Sequence, residues 1–263
     1  MLSVGKLEAM TRAGFAARGI MYLLIGFLSL GAGRAQDGSG ALRYLDSGPG
    51  EILLALMALG FFGYGLWRLS EAAVDTEGHG DGAKGAAVRI GGAVSGFIHL
   101  GLGLLSAKLA LGGGGGGGSS SSEQGAETAL GLPGGTFLLT AAAIVLVAVG
   151  LYQLAKAWKA DFLKHLEPGA TRQAWVVWIG RAGYAARGVV FAIMGWFLWQ
   201  AARESQASEA GDMGAALTSL PGTLQAAVAA GLMLFGLFSL VEARFRRIND
   251  PKVVERLRQR AHA

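Results

Sequence analysis

The chain of 263 residues contains no cysteine, which removes disulfides, thiolate nucleophiles, cysteine-ligated zinc and iron–sulfur clusters together. Charge is scarce as well: Asp, Glu, Lys and Arg make up 16% of the residues, against about a quarter in ordinary soluble domains. No polar stretch is long enough to bury a core of its own. Histidines occur only as His79, His99, His165 and His262, with no metal-ligand spacing among them. No nucleophile with its base can be assembled from the apolar segments, so no enzyme and no cofactor is expected. The basic balance, with a pI near 9.7, is not interleaved with aromatics in any groove-reading motif, so nucleic acid is not expected as a partner.

What the chain has is apolar length. Hydrophobic residues reach 52% and mean hydropathy is +0.43. Six runs approach the roughly twenty residues needed to cross a bilayer: Ala13–Ala32, Ile52–Val74, Ile90–Leu111, Thr136–Ala157, Trp175–Ala201 and Leu224–Val241. The first has no small-residue cleavage site after it and reads as an uncleaved signal anchor. With the N-terminus inside, nineteen of the 23 Lys and Arg residues fall on the inner side, and Arg34, Arg43, Lys108 and Arg203 on the outer. This bias places both termini in the cytoplasm.

The chain also repeats itself. Arg12-Ala13-Gly14-Phe15-Ala16-Ala17-Arg18-Gly19 recurs as Arg181-Ala182-Gly183-Tyr184-Ala185-Ala186-Arg187-Gly188, with a degenerate copy at Arg89–Gly96. Each second helix follows a Pro-Gly pair (Pro49-Gly50, Pro133-Gly134, Pro221-Gly222) and ends in a Gly-Leu-aromatic signature at Gly65, Gly150 and Gly236. The expectation is an all-α membrane protein, residues 1–263, of three two-helix hairpins (12–75, 89–162 and 176–248) in parallel orientation, with a pseudo-threefold bundle as its natural arrangement. Residues 112–122, seven glycines and four serines, read as a flexible outer linker, and 249–263 as a basic cytoplasmic tail suited to anionic inner-leaflet lipid.

The openings at Arg12 and Arg181, with the Gly-Leu-aromatic endings and their Glu71 and Glu242, resemble the bacterial membrane family of domain of unknown function 1206. The resemblance covers all three hairpins and implies a multi-pass inner-membrane protein. It carries over no catalytic or binding residue.

The residues themselves supply a few candidates. Gly19 and Gly26, Gly96 and Gly103, and Gly188 and Gly195 lie two turns apart, on one helix face, where small residues let a neighbouring helix approach. Arg18 and Arg187 lie just inside the odd helices, at the depth of Glu71 and Glu242 on the following even helices. Both partners are replaced in the middle copy, by Ser95 and Lys156, so the pairs Arg18–Glu71 and Arg187–Glu242 are expected as structural clamps. His99, one turn beyond Ser95, is an ionisable group deep in a span, and these two form a candidate intramembrane polar site. The functional expectation is a non-catalytic component that binds membrane lipid, a partner protein or a second copy of itself. A proton-linked or small-solute transporter is the alternative, weakened by the few polar groups in the spans.

Overall fold

The computed structural model describes residues 4–31, 36–46, 49–75, 80, 82–113 and 120–246. The basic tail at 249–263, most of the Gly/Ser linker, His79 and His262 lie outside the described residues. Within them the chain is helical: α1 (Val4–Gly31), α2 (Gly38–Arg43), α3 (Gly50–Val74), α4 (Ala83–Ala110), α5 (Ser121–Leu130), α6 (Gly135–Lys159), α7 (Pro168–Thr171), α8 (Ala174–Glu204), α9 (Met213–Thr218) and α10 (Gly222–Phe245). No strand occurs among the described residues, only an isolated bridge between Leu166 and Arg246. The six long helices α1, α3, α4, α6, α8 and α10 are long and apolar enough to cross a membrane, where a helix satisfies its own backbone donors and acceptors.

Local chemistry sets their ends. Gly134 starts α6 at φ +78°, a left-handed conformation that favours glycine. Helices α3 and α6 stop at register-equivalent left-handed residues, Asp75 and Ala160. The segments before the Pro-Gly pairs are short helices rather than plain loops. Asp37 caps α2 through the Gly40 N–H at 2.7 Å, Asp212 caps α9 through the Ala215 N–H at 2.8 Å, and Ser120 caps α5 through the Glu123 N–H at 3.2 Å. Ala41, Leu42, Ala216 and Leu217 anchor α2 and α9 in the core.

The long helices pack in the order α4–α3–α1–α10–α8–α6. This is a pseudo-threefold arrangement of hairpins. The most extensive contacts join different units and have one design. A methyl built on Gly19 would fall 2.9 Å from the Gly236 carbonyl oxygen, one on Gly96 3.1 Å from that of Gly65, and one on Gly188 2.9 Å from that of Gly150. Two turns along, Gly26, Gly103 and Gly195 face Met233, Phe62 and Val147, again equivalent in register. Glycine on glycine allows these backbones to approach closely, which gains packing where lipid offers no hydrophobic driving force.

A complete six-helix cycle would also need three contacts within units. Two exist. A methyl on Gly60 would lie 2.8 Å from the Ala17 Cβ, and one on Gly231 2.6 Å from the Ala186 Cβ. The third, between α4 and α6, is not packed. There the equivalents of Ala17 and Gly60 are Val94 and Val145, 55% and 61% exposed, and the equivalent of Ala13 is Ile90, 66% exposed. Gly91, equivalent to Gly14 and Gly183, has nothing within 4 Å, whereas a methyl on either of the others would run into Tyr64 or Phe235. Branched residues at three small-residue positions hold α4 and α6 apart, so the cycle is open at the middle hairpin.

Candidate functional site

The buried charge lies on the terminal half of the spans, the half holding the start of α1 and the end of α10. Arg18 is 7% exposed, and each of its three guanidinium nitrogens donates a hydrogen bond. Nη2 donates to Glu242 Oε2 at 2.5 Å, Nε to Ser239 Oγ at 3.2 Å and Nη1 to Tyr64 Oη at 3.3 Å. Ser239 donates its own hydroxyl proton to the Phe235 carbonyl oxygen at 2.9 Å, which leaves a lone pair for Arg18. The rings of Phe15 and Phe235 lie 4.4 and 4.9 Å from the guanidinium carbon. The second Glu242 oxygen accepts from Arg246 Nη1 at 3.3 Å. Arg12 ties this end down by donating to the Arg246 carbonyl oxygen at 3.2 Å.

The ion pairs therefore differ from the within-hairpin expectation. Arg18 meets Glu242 of the third unit, not Glu71. Glu71 is fully buried and accepts from Arg68 on its own helix. Arg187 does not meet Glu242; its guanidinium lies over Phe235, Phe191 and Tyr22 at 4.4, 4.8 and 5.3 Å. The cause is the packing. Within units one and three the aromatic Tyr64 or Phe235 occupies the space beside the odd-helix arginine. Between units the glycine crossing brings the residue before the odd-helix glycine to the carboxylate position of the neighbouring even helix.

The three inter-unit interfaces thus carry three versions of one site. At α1–α10 it is Arg18, Ser239 and Glu242. At α4–α3 the same positions are Ser95, Arg68 and Glu71, with Gly92 packed so closely that a methyl there would lie 3.3 Å from Glu71 Oε2. At α8–α6 they are Arg187, Gln153 and Lys156. The first two contain an internal ion pair. The third contains two cations and no carboxylate.

His99 fills the aromatic slot held by Tyr22 and Phe191 in the other units. Its ring lies 4.4 Å from that of Tyr64 and 5.9 Å from that of Phe61, matching the Tyr22–Phe235 contact at 4.8 Å. Nδ1 is 2.7 Å from the Ser95 carbonyl oxygen, which can only accept, so Nδ1 carries the proton. The Ser95 hydroxyl is 3.5 Å from the same nitrogen. Nε2 is buried without a hydrogen bond among the described residues. Arg181, at the other repeat opening, donates to the Trp158 carbonyl oxygen at 3.4 Å. Outside the spans, a hydrogen bond from Lys164 holds the Asp161 carboxyl below its ordinary range. Among the described residues no group of three or more His, Asp or Glu side chains could hold a metal ion.

Tyr64, Ser239 and Arg246 as partners of the Arg18–Glu242 pair were not foreseen from sequence. The signal available was the register itself, read across units instead of along each hairpin.

The chain is 31% identical over 256 residues to the uncharacterized protein YxxB of Bacillus subtilis (strain 168), an alignment covering 92% of each. No solved structure matches it. The family described as Domain of Unknown Function (DUF1206) matches three successive segments, 13–75, 90–160 and 182–246, and the chain belongs to that family.

Proposed function

We propose that this protein is a non-catalytic component of the bacterial cytoplasmic membrane that binds lipid along the open α4–α6 edge, with both termini in the cytoplasm. The observation that carries the reading is the missing third contact. Ile90, Val94 and Val145 present branched aliphatic side chains where the other two hairpins close on small residues. A smooth aliphatic wedge of this kind suits acyl chains, whereas helix partners in lipid favour small or polar interface residues. The orientation follows from the nineteen-to-four distribution of basic residues.

Photo-crosslinking side chains at Val94 and Val145, activated in native membranes, test the reading. Lipid adducts at both positions support it. A protein adduct at both would replace lipid with a partner chain, and proton or solute flux in liposomes would replace the reading with a transporter. Membrane-impermeant thiol labelling of Ser205→Cys from outside, with Lys164→Cys protected, tests the orientation.

A further inference from the structure

Two side chains that fill the first and third units have no counterpart in the second, where α5, α6 and α8 bound a cavity of about 380 Å³ at the end of the spans away from the termini. The residue five after the N-cap of each short helix is Leu42 in α2 and Leu217 in α9, both fully buried. In α5, counted from Ser120, it is Gly125, where a methyl would meet nothing within 4 Å. The residue eight before the crossing glycine of each even helix is Met57 in α3 and Val228 in α10, both buried. In α6 it is the exposed Ala142. One turn further along, the buried Phe61 and Leu232 are matched by the half-buried Leu146. Gly125, Ala142 and Leu146 all line the cavity, together with Met194 and Leu198 of α8. Helix α5 is itself held in place by Ala126, buried in a cluster with Leu139, Ala201 and Ala202.

Among the described residues that line the cavity none is charged or aromatic, and the only polar side chain is that of Ser122. Walls of Gly, Ala, Leu and Met suit a flexible aliphatic chain; they offer no ring to stack on and no donor set for a polar ligand. The volume lies within the range of about 300–1,000 Å³ typical of ligand sites. In the other two units leucine, methionine and valine side chains take these positions, so close packing here calls for aliphatic atoms. Leu138 and Ala142 of the lining share a face of α6 with Val145, at i, i+4 and i+7, and Leu138 and Val145 are both exposed. The cavity therefore opens onto the α4–α6 edge. We propose that it receives the end of one acyl chain of a phospholipid seated on that edge. The identity of the occupant rests on the lipid-binding reading above; the loss of the two filling side chains does not.

The test uses the full chain in phosphatidylcholine nanodiscs doped with a phosphatidylcholine that carries a diazirine at the end of one acyl chain, and maps the adducts by mass spectrometry after illumination. The wild type is expected to be labelled at Met194 or Leu198 in the cavity as well as at Val94 or Val145 on the edge. Gly125→Leu with Ala142→Met supplies both filling side chains and is expected to lower the cavity adducts about tenfold while the edge adducts stay. Ala142→Met alone is expected to act in the same direction, and it carries the test where the double variant does not fold. Ile144→Met, on an exposed face of α6 outside the cavity, is expected to change neither set of adducts. Edge adducts without cavity adducts in the wild type, or cavity adducts undiminished in the filled variants, overturn the proposal and leave the lipid-binding reading standing. Adducts at neither place overturn both.

Discussion

Arg18 of the first hairpin and Glu242 of the third meet at 2.5 Å, so the buried ion pair joins units and does not clamp one. Breaking a buried pair leaves an uncompensated charge, at a cost of about 3–5 kcal/mol in water-soluble proteins. Arg18→Ala and Glu242→Ala are each expected to destabilise strongly. The double variant should lose less than the sum, by at least about 1 kcal/mol. The cycle on Arg18→Ala with Glu71→Ala should show a smaller coupling. Reversible unfolding in mixed detergent measures both, and equal coupling in the two cycles would contradict the pairing.

Three register-equivalent glycines should answer one substitution in two ways. Gly14→Ala and Gly183→Ala drive a methyl into Tyr64 and Phe235, and a loss of about 1–3 kcal/mol is expected for each. Gly91→Ala meets open space and is expected to be neutral, or to stabilise by up to about 1 kcal/mol through helix propensity. The same unfolding measurement checks the contrast; similar losses at all three positions would mean that α6 covers α4 after all.

His99 sits in a slot that holds tyrosine or phenylalanine in the other units, with Nε2 buried and unbonded. His99→Phe is therefore expected to keep the fold and to gain up to about 1 kcal/mol by removing a buried acceptor. Thermal unfolding of this variant tests the assignment. A loss of more than about 2 kcal/mol would show that Nε2 makes a bond the packing does not account for.

The six spans were legible because about twenty consecutive apolar residues are a physical requirement of crossing a bilayer, and that length is written along the chain. The glycine stripe was legible too, since Gly19, Gly96 and Gly188 recur at one position of the repeat. Which helix each glycine faces was not, because sequence proximity favours the hairpin partner and the structure puts the glycine-on-glycine crossings between hairpins. That one misplacement accounts for both misassigned ion pairs. The substitutions of Ala17 and Gly60 by Val94 and Val145 in the middle copy were visible as letters. Their meaning depends on knowing that those positions face each other. The short helices α2 and α9 were hidden because six residues carry too little periodicity to separate a helix from a loop, although Asp37 and Asp212 stand at their N-caps.

The open middle hairpin is the centre of this account, and a chain without cysteine lends itself to a direct test by disulfide trapping. Ala186→Cys with Gly231→Cys places thiols where a methyl already reaches the Ala186 Cβ, and it is expected to cross-link under mild oxidation in membranes. The register-equivalent pair in the middle hairpin, Val94→Cys with Val145→Cys, is expected to stay reduced and to react with a lipid-soluble maleimide. Efficient disulfide formation between residues 94 and 145 would contradict the account, because it would show three closed hairpins and a complete six-helix cycle.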